Sequence, residues 1–587
     1  MPLKKGVFSR LKKKIGKTTD YTQLISKYDK QIELRPDDSD LYVLRAQAYD
    51  KIQEFQEAID DYSKALELKP GSPDILHKRG DAYSFLGDFQ QSIADYSRAI
   101  ELNPKNAAHF HFRAVAYFLQ GQYQRSIKDY SKALKLNPFV ARSFYGRGNS
   151  YYALDDYHRA IQDYTSALKL TEKYPKKAQK EDPTRIETFF KRGLTFERVN
   201  DFTRANRDYS RVLEIDPQSV DAWGRRGMTY LNLGELEKAF NDFNKYIELA
   251  PDDFLGYFNR GNVYFYTQRF QDAITDFSKT IELNEDDFQA YLNRGNCWRN
   301  LQEFEKALSD YSAAISIDKN YVNAYLNRGC VFLNSGDFKK ALNDFNQVLE
   351  LDPNNVSAFA NRAIAYEGMQ EYDQAMEDST KALSLDPSFH QAYFNRGSIH
   401  LLLKEYSHAF TDFTKSIELA PTPNAFYWRA EAAAKLQKFD KAIRDWKTSG
   451  FLYLYYKNYD ISVKSFKCAY DIYLQNKVIT DEGLISALMF YAVSSDVEVE
   501  QNLRQIQQED LTKIQNRFLV KFLEIVVDKI TDQEVLPKIA ERLNTLTEEI
   551  DSANDIGQET KRELLTLSSF IRHKYLKEVQ KFLSKNT

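Results

Sequence analysis

The sequence predicts an all-α fold, a solenoid of antiparallel helix pairs with a helical extension at its C-terminal end, and three observations carry that prediction. The phrase Asn-Arg-Gly or Asn-Arg-Ala returns every 34 residues between Phe254 and Gly397. A fixed period of this size means one supersecondary unit copied and stacked. Within each period, apolar and small residues recur at helical spacing in two blocks. The chain is also long, 587 residues, more than one compact core accommodates, and stacking removes that difficulty. A hydrophobic fraction of 43% and a mean hydropathy of −0.59 describe a soluble folded protein.

Charge and composition narrow the function classes. The net charge is −3 with an isoelectric point near 6.3, so no basic field attracts nucleic acid and no nucleic-acid partner is expected. No run of 18 or more apolar residues occurs, and the first residues lack an apolar signal core, so neither a membrane span nor secretion is expected. Three cysteines, Cys297, Cys330 and Cys468, point to core thiols in a reducing, cytoplasmic compartment.

In chain order, residues 1–19 form a basic segment with Val7, Phe8, Leu11 and Ile15 at helical spacing. Contact with an anionic membrane surface or a targeting segment is the functional reading, a solvated, frayed terminus the other, and the last is favoured. Residues 20–38, ending Ile32-Glu33-Leu34-Arg35-Pro36, match the second half of a repeat and read as a half-repeat cap. Residues 39–448 hold twelve units, marked by Arg45, Arg79, Arg113, Arg147, Arg192, Arg226, Arg260, Arg294, Arg328, Arg362, Arg396 and Arg429. The steps are 34 except for 45 between Arg147 and Arg192 and 33 at the end. The long step places an insertion near 171–182, before Pro183, as a loop or helix extension. In 449–587 the pattern degrades. Tyr459, Ser462, Val463, Phe466 and Ala469 echo a second helix after a shortened first one. Further helices are predicted from Ile506, Ile514, Phe518, Phe522 and Ile525, from Leu536, Ile539, Leu543, Leu546 and Ile550, and from Leu564, Leu567, Ile571, Tyr575 and Phe582. They read as a cap on the array, with an oligomerisation module as the alternative.

Numbering each unit so that the Gly or Ala after Arg is position 8, aromatic residues concentrate at positions 4, 11, 17 and 24. Positions 4, 8 and 11 share one helix face, and the small residue at position 20 shares the second helix's inner face with position 24. Small residues at 8 and 20 let the helices approach closely. Gly87, Gly121, Gly234 and Gly336 end first helices. A buried aromatic stabilises by about 1.5 to 3 kcal/mol, so the high Tyr and Phe content is packing and not a stacking platform for bases.

These residues, with prolines ending units at Pro70, Pro104, Pro138, Pro217, Pro251, Pro353, Pro387 and Pro421, resemble the tetratricopeptide repeats. The resemblance implies a right-handed superhelix whose first helices line a concave groove, used for binding peptides or other proteins, with no catalytic residues and no cofactor. One feature departs from the family pattern. Position 7 is Arg in all twelve units, and Asp follows sixteen residues later. Arg260 with Asp276, Arg294 with Asp310 and Arg328 with Asp344 exemplify the ion pair expected between first and second helices, partly buried within or between units.

Chemistry is sparse. The histidines are His77, His109, His111, His158, His390, His400, His408 and His573. His109 and His111 sit two apart, which is poor ligand spacing, so surface or groove-lining roles and no metal are expected. No Cys-x-x-Cys, glycine-rich phosphate loop or nucleophile elbow occurs. The chain reads as no enzyme, with an unrecognised site after residue 448 as the remaining alternative.

Recognition is therefore sought in the groove. Some family members clamp chaperone C-termini with basic residues at positions 2 and 5. Here position 5 holds Tyr145, Phe258 and Leu292 and position 2 holds Leu255, Gln289, Asn323 and Ser357, so the basic half is missing. The row Asn259, Asn293, Asn327, Asn361 and Asn395 at position 6 instead resembles the repeat region of O-linked N-acetylglucosamine transferases, without their catalytic domain. That resemblance implies an asparagine ladder on the backbone of an extended peptide, since an amide both donates and accepts. Inheritance by duplication is the competing account of the row. Positions 2, 6, 9 and 13 share a face opposite the aromatic one, which adds Asn262 and Asn296. Five amide bonds at about 0.5 to 1.5 kcal/mol each barely match an association cost of about 4 to 15 kcal/mol. Phe258, Leu292, Leu326 and Phe394 at position 5 are the expected apolar helpers. The sequence thus reads as a non-catalytic scaffold binding an extended peptide or partner protein, the alternative being a structural protein that oligomerises through its tail or superhelix surface.

Overall fold

The structure is a computed structural model describing residues 18–173, 183–476, 481–493, 519, 536–553, 557, 558 and 560–571, and every regular element among these is an α-helix. The segment 1–17, the middle of the insertion at 174–182, Tyr575, Phe582 and the expected tail helix from Ile506 to Ile525, apart from residue 519, lie outside the described residues. No described helix is long and apolar enough to cross a membrane. The chain divides into two compact units, Met1–Cys297 and Trp298–Thr587, with the boundary inside the helix Phe288–Asn300.

In the first unit, α1 (Thr18–Leu34) packs on α2 (Ser39–Ile52), and α2 pairs with α3 (Phe55–Leu68). First and second helices then alternate: Pro73–Leu86 with Phe89–Leu102, Ala107–Leu119 with Tyr123–Leu136, Ala141–Tyr152 with Tyr157–Lys173, Pro183–Arg198 with Phe202–Ile215, Val220–Asn232 with Leu236–Leu249, and Phe254–Tyr266 with Phe270–Leu283. α1 stands where a second helix would precede the first repeat. Its Ile25 and Ile32 are buried, and Ile32 shares a core with Leu41, Tyr42 and Tyr62. The insertion lengthens both flanking helices: Tyr157–Lys173 has 17 residues and Pro183–Arg198 has 16, against 14 in Phe202–Ile215.

Local chemistry sets the helix ends. Ser72 accepts from the Ile75 N–H ahead of Pro73, and Asn106 accepts from Ala108, each satisfying a free donor at a helix start. At the stops, Gly87 takes φ of 87°, a left-handed conformation that favours glycine. Packing between the helices depends on small residues. A Cβ on Gly227 would lie 2.7 Å from the Phe243 ring, so the second-helix aromatic sits directly against first-helix backbone.

The second unit continues with Phe304–Ile317 and the pairs Val322–Asn334 with Phe338–Leu351, Val356–Gly368 with Tyr372–Leu385, His390–Leu402 with Tyr406–Leu419, and Pro423–Lys435 with Phe439–Tyr455. The expectation of a separate, shortened first helix after residue 448 is corrected here. Phe439–Tyr455 runs 17 residues, and the turn that separates units elsewhere is absent. Gly450 within it faces Phe466 of the helix Tyr459–Asn476, with its Cβ position 2.7 Å from the ring. This is the spacing of Gly227 to Phe243, so the twelfth unit's second helix also serves as the first helix of the degenerate unit. Beyond it, Ala430, Trp446, Phe466, Leu484, Leu543, Leu564 and Ile571 form one core. Lys447 donates to Glu563 at 2.8 Å in the same region, both buried.

Candidate binding groove

The position-7 arginine is consumed by the fold. Among the described contacts, from Arg45 with Asp61 through Arg429 with Asp445, its Nε and Nη2 donate to the two carboxylate oxygens of the aspartate sixteen residues on, at 2.6–2.9 Å. Arg260 with Asp276 and Arg328 with Asp344 are two of these pairs. A third contact has no counterpart in the sequence reading. Nη1 reaches back to position 25 of the preceding unit: Arg79 to Ser63, Arg226 to Ser210, Arg260 to Asn244, Arg294 to Ser278, Arg328 to Ser312 and Arg362 to Asn346. Arg45 uses Asp29 of α1 in the same way. One planar fork therefore joins the second helices of successive units, and its rigid donor geometry fixes their register. Arg226 also lies 4.7 Å from the Trp223 ring. The aspartates are buried, and burial pushes the Asp242 carboxyl above its usual range against the pull of Arg226. Ser, Thr or Asn at position 25 was the available signal, visible only when one unit is read against the next.

On the opposite face, Met228, Leu231, Asn232, Gly234, Leu236, Asn262, Tyr266 and Asn293 line an open cleft of about 690 Å³. Most of these residues occupy positions 6, 9 and 13 of units six to eight. Tyr266 is 61% exposed. Asn293 donates from Nδ2 to Asn262 Oδ1 at 2.9 Å. That bond uses one donor and one lone pair, and an amide carries two of each. Asn259 and Asn296 are half-buried in the same compact unit.

In the second compact unit, Asn327 is half-buried and Asn361 Nδ2 lies 3.5 Å from Cys330 Sγ, again position 6 to position 9 of the preceding unit. Asn395 departs from the outward-facing expectation. It is 2% exposed, donates to the Ala360 carbonyl at 2.8 Å and accepts from Gln391 at 3.0 Å. Position 9 of the preceding unit is Ile364, which offers no polar partner, so the amide turns to the main chain. The position-5 side chains are also corrected. Phe258 packs edge-on against Phe277 at 5.9 Å, Phe394 against Phe413 at 5.6 Å, Leu292 is buried, and Leu326 joins the core of Ala341 and Phe345. Position 5 lies three residues before position 8, on the same packed face, so these residues belong to the packing between first and second helices.

The histidines near the N-terminal end are not surface residues. His109 is buried, and its Nδ1 faces His77 Nδ1 at 3.2 Å, while His111 Nδ1 bonds the Ser143 hydroxyl at 2.9 Å. Burial lowers all three, His111 to about 4, and raises the neighbouring Asp81 to about 6. Between pH 6.5 and 4 the unfolded chain binds a proton at His111 that the folded chain does not, so His111 costs stability as pH falls through that window, by up to about 3 kcal/mol. Asp81 acts in the opposite sense: its contribution is complete below 3.8 and is lost as pH rises through about 6. The variant His111→Phe isolates the first effect, since Phe258 and Phe394 occupy the equivalent position. Amide exchange in residues 73–136 is expected to lose protection from pH 7 to pH 4.5 more steeply in the wild type than in the variant, and parallel curves would refute the assignment.

Tetratricopeptide-repeat family profiles match residues 39–72 and 322–355, 77–141, 113–178 and 258–321, 192–255, 345–377, and 390–423, together more than half of the chain. The chain belongs to the tetratricopeptide-repeat family. No curated protein matches it in sequence comparison. Among solved structures it is similar to a tetratricopeptide-repeat protein of Parabacteroides merdae, with 20% identity over 40% of this chain and 93% of that one and a TM-score of 0.36. It is similar to yeast Tom70, with 19% identity over 69% of this chain and 96% of that one and a TM-score of 0.31. A third is YrrB, with 23% identity over 34% of this chain and 97% of that one and a TM-score of 0.29. Leu44, Phe85, Phe112 and Leu119, at positions 6 and 13 of the first three repeats, are exposed apolar residues, whereas position 6 of the eighth repeat is the amide Asn293.

Proposed function

We propose that this tetratricopeptide-repeat protein is a non-catalytic, cytoplasmic scaffold that holds an extended segment of a partner protein in the cleft of units six to eight. The observation that carries the reading is the composition of that cleft: amides at Asn232, Asn262 and Asn293 beside exposed Tyr266 and apolar Met228, Leu231 and Leu236. Amides satisfy peptide groups whatever side chains they bear, and the apolar wall supplies the affinity that amide bonds alone lack. Taken by itself, the second compact unit offers the same amide chemistry at Asn327 and Asn361, while Asn395 serves its own fold.

A random peptide library displayed on phage and selected on the full-length protein tests the reading. Selected peptides are expected to share spaced apolar residues without a fixed polar motif, and to bind Asn262→Ala/Asn293→Ala about tenfold more weakly. Loss of two hydrogen bonds of about 0.5 to 1.5 kcal/mol each corresponds to that factor. Peptides that bind both proteins equally would refute the cleft as the site.

A further inference from the structure

The repeat has a surface device outside the groove. In six units a cation at position 19 lies over the position-11 ring: Arg125 over Tyr117, Arg159 over Tyr151, Arg204 over Phe196, Lys238 over Tyr230, Lys306 over Trp298 and Lys340 over Phe332. Position 16 often supplies an acid to that cation, as in Asp156 with Arg159, Asp201 with Arg204 and Asp337 with Lys340. The turn between first and second helix thus brings positions 11, 16 and 19 together in unit after unit. In the eleventh unit those positions are His400, Glu405 and His408.

The same apposition then assembles three groups that bind metals. The imidazole rings of His400 and His408 lie 5.1 Å apart. Glu405 Oε2 is 2.7 Å from His400 Nδ1 and 3.7 Å from His408 Nδ1, and one ligand atom from each residue fits within 4.8 Å of the others. Glu405 precedes the helix Tyr406–Leu419 but makes no side-chain cap bond, so its carboxylate is committed to the histidines. Behind the site, His400 Nε2 faces Asp412 Oδ2 at 3.8 Å, and Asp412 is held by Arg396. At 3.8 Å the carboxylate does not hydrogen-bond the ring, but it places negative charge beside a site for a cation.

We propose that His400, Glu405 and His408 bind a divalent transition-metal ion of the zinc class. Two imidazoles and one carboxylate suit Zn²⁺ or Co²⁺ and disfavour Mg²⁺, which prefers oxygen ligands. Three protein ligands leave a fourth position open to water or to a side chain of a bound partner. The bound ion ties the end of the helix His390–Leu402 to the start of Tyr406–Leu419 across their turn. Judging histidines by their spacing along one helix hides this pair, because His400 and His408 lie on different helices.

Titration of metal-free full-length protein with Co²⁺, read by visible absorption, and competition with Zn²⁺ test the site. The double variant His400→Tyr/His408→Lys installs the Tyr230 and Lys238 arrangement that the fold already uses, so it preserves packing. The wild type is expected to take one more equivalent of Co²⁺ than this variant, Glu405→Gln to weaken that equivalent about tenfold or more, and Mg²⁺ not to compete. An unchanged stoichiometry and spectrum in the double variant would overturn the proposal, whether the metal then sits elsewhere or nowhere.

Discussion

Replacing Arg226 by leucine while leaving Asp242 in place is expected to weaken the sixth unit by about 3 to 5 kcal/mol, the cost of a buried charge without its partner. Asp242 is 4% exposed, and Arg226 supplies two of its hydrogen bonds, at 2.7 and 2.8 Å. An exposed pair would cost roughly 0 to 1 kcal/mol, so burial decides the magnitude. The loss is local, because each repeat touches only its neighbours and a long array need not unfold in one step. Native-state amide exchange over residues 220–249 is therefore the suitable readout. Arg226 also bonds Ser210 of the preceding unit at 3.1 Å, so protection in the helix Phe202–Ile215 is expected to fall as well. In the double variant Arg226→Leu/Asp242→Leu the loss is expected to be smaller than the sum of the single losses. Strict additivity would show that the two charges are not coupled.

Phe277→Ala is expected to cost about 3 to 5 kcal/mol, the range for emptying a fully buried aromatic site. Phe277 is 0% exposed, holds Phe258 at 5.9 Å, and presses on the backbone of Gly261, whose Cβ position lies 2.8 Å from the ring. Gly261→Ala alone is expected to cost about 1 to 3 kcal/mol by overpacking. Combined with Phe277→Ala, the added methyl enters vacated space, so the second substitution is expected to become neutral or favourable. Native-state amide exchange over residues 254–283 of the four proteins measures this coupling, and a Gly261→Ala penalty that persists beside Phe277→Ala would contradict the packing described. Asn262 is on the same helix as Gly261, so peptide binding is expected to weaken with the packing.

The repeat was legible in the sequence because its constraints are local or fall at fixed offsets. Small residues at position 8 and aromatics at position 24 mark helices in contact, and Arg followed sixteen residues later by Asp marks charges that the pairing brings together. The contact to position 25 is harder to see, although Ser63, Ser210 and Asn244 display it, because it runs from one unit to the previous one. The site was less legible. Position 6 is polar throughout the asparagine row, yet whether its amide is available depends on position 9 of the neighbouring unit. Asn262 accepts from Asn293, while Ile364 leaves Asn395 to the main chain. The packed setting of the position-5 residues follows from the pattern, since positions 5 and 8 are one helical turn apart. The fused helix Phe439–Tyr455 does not, because nothing in a periodic pattern states that a turn is missing.

Site-specific photocrosslinking tests the cleft most directly. A benzoylphenylalanine placed at Tyr266 reports what occupies the cleft, and one placed at Thr275, exposed on the second helix of the same unit, reports a face outside it. In cell extract, a discrete adduct to a partner protein is expected at 266, absent at 275, and lost when Asn262→Ala and Asn293→Ala are added. Adducts at 275 with none at 266, or an adduct at 266 indifferent to the two asparagines, would contradict the account.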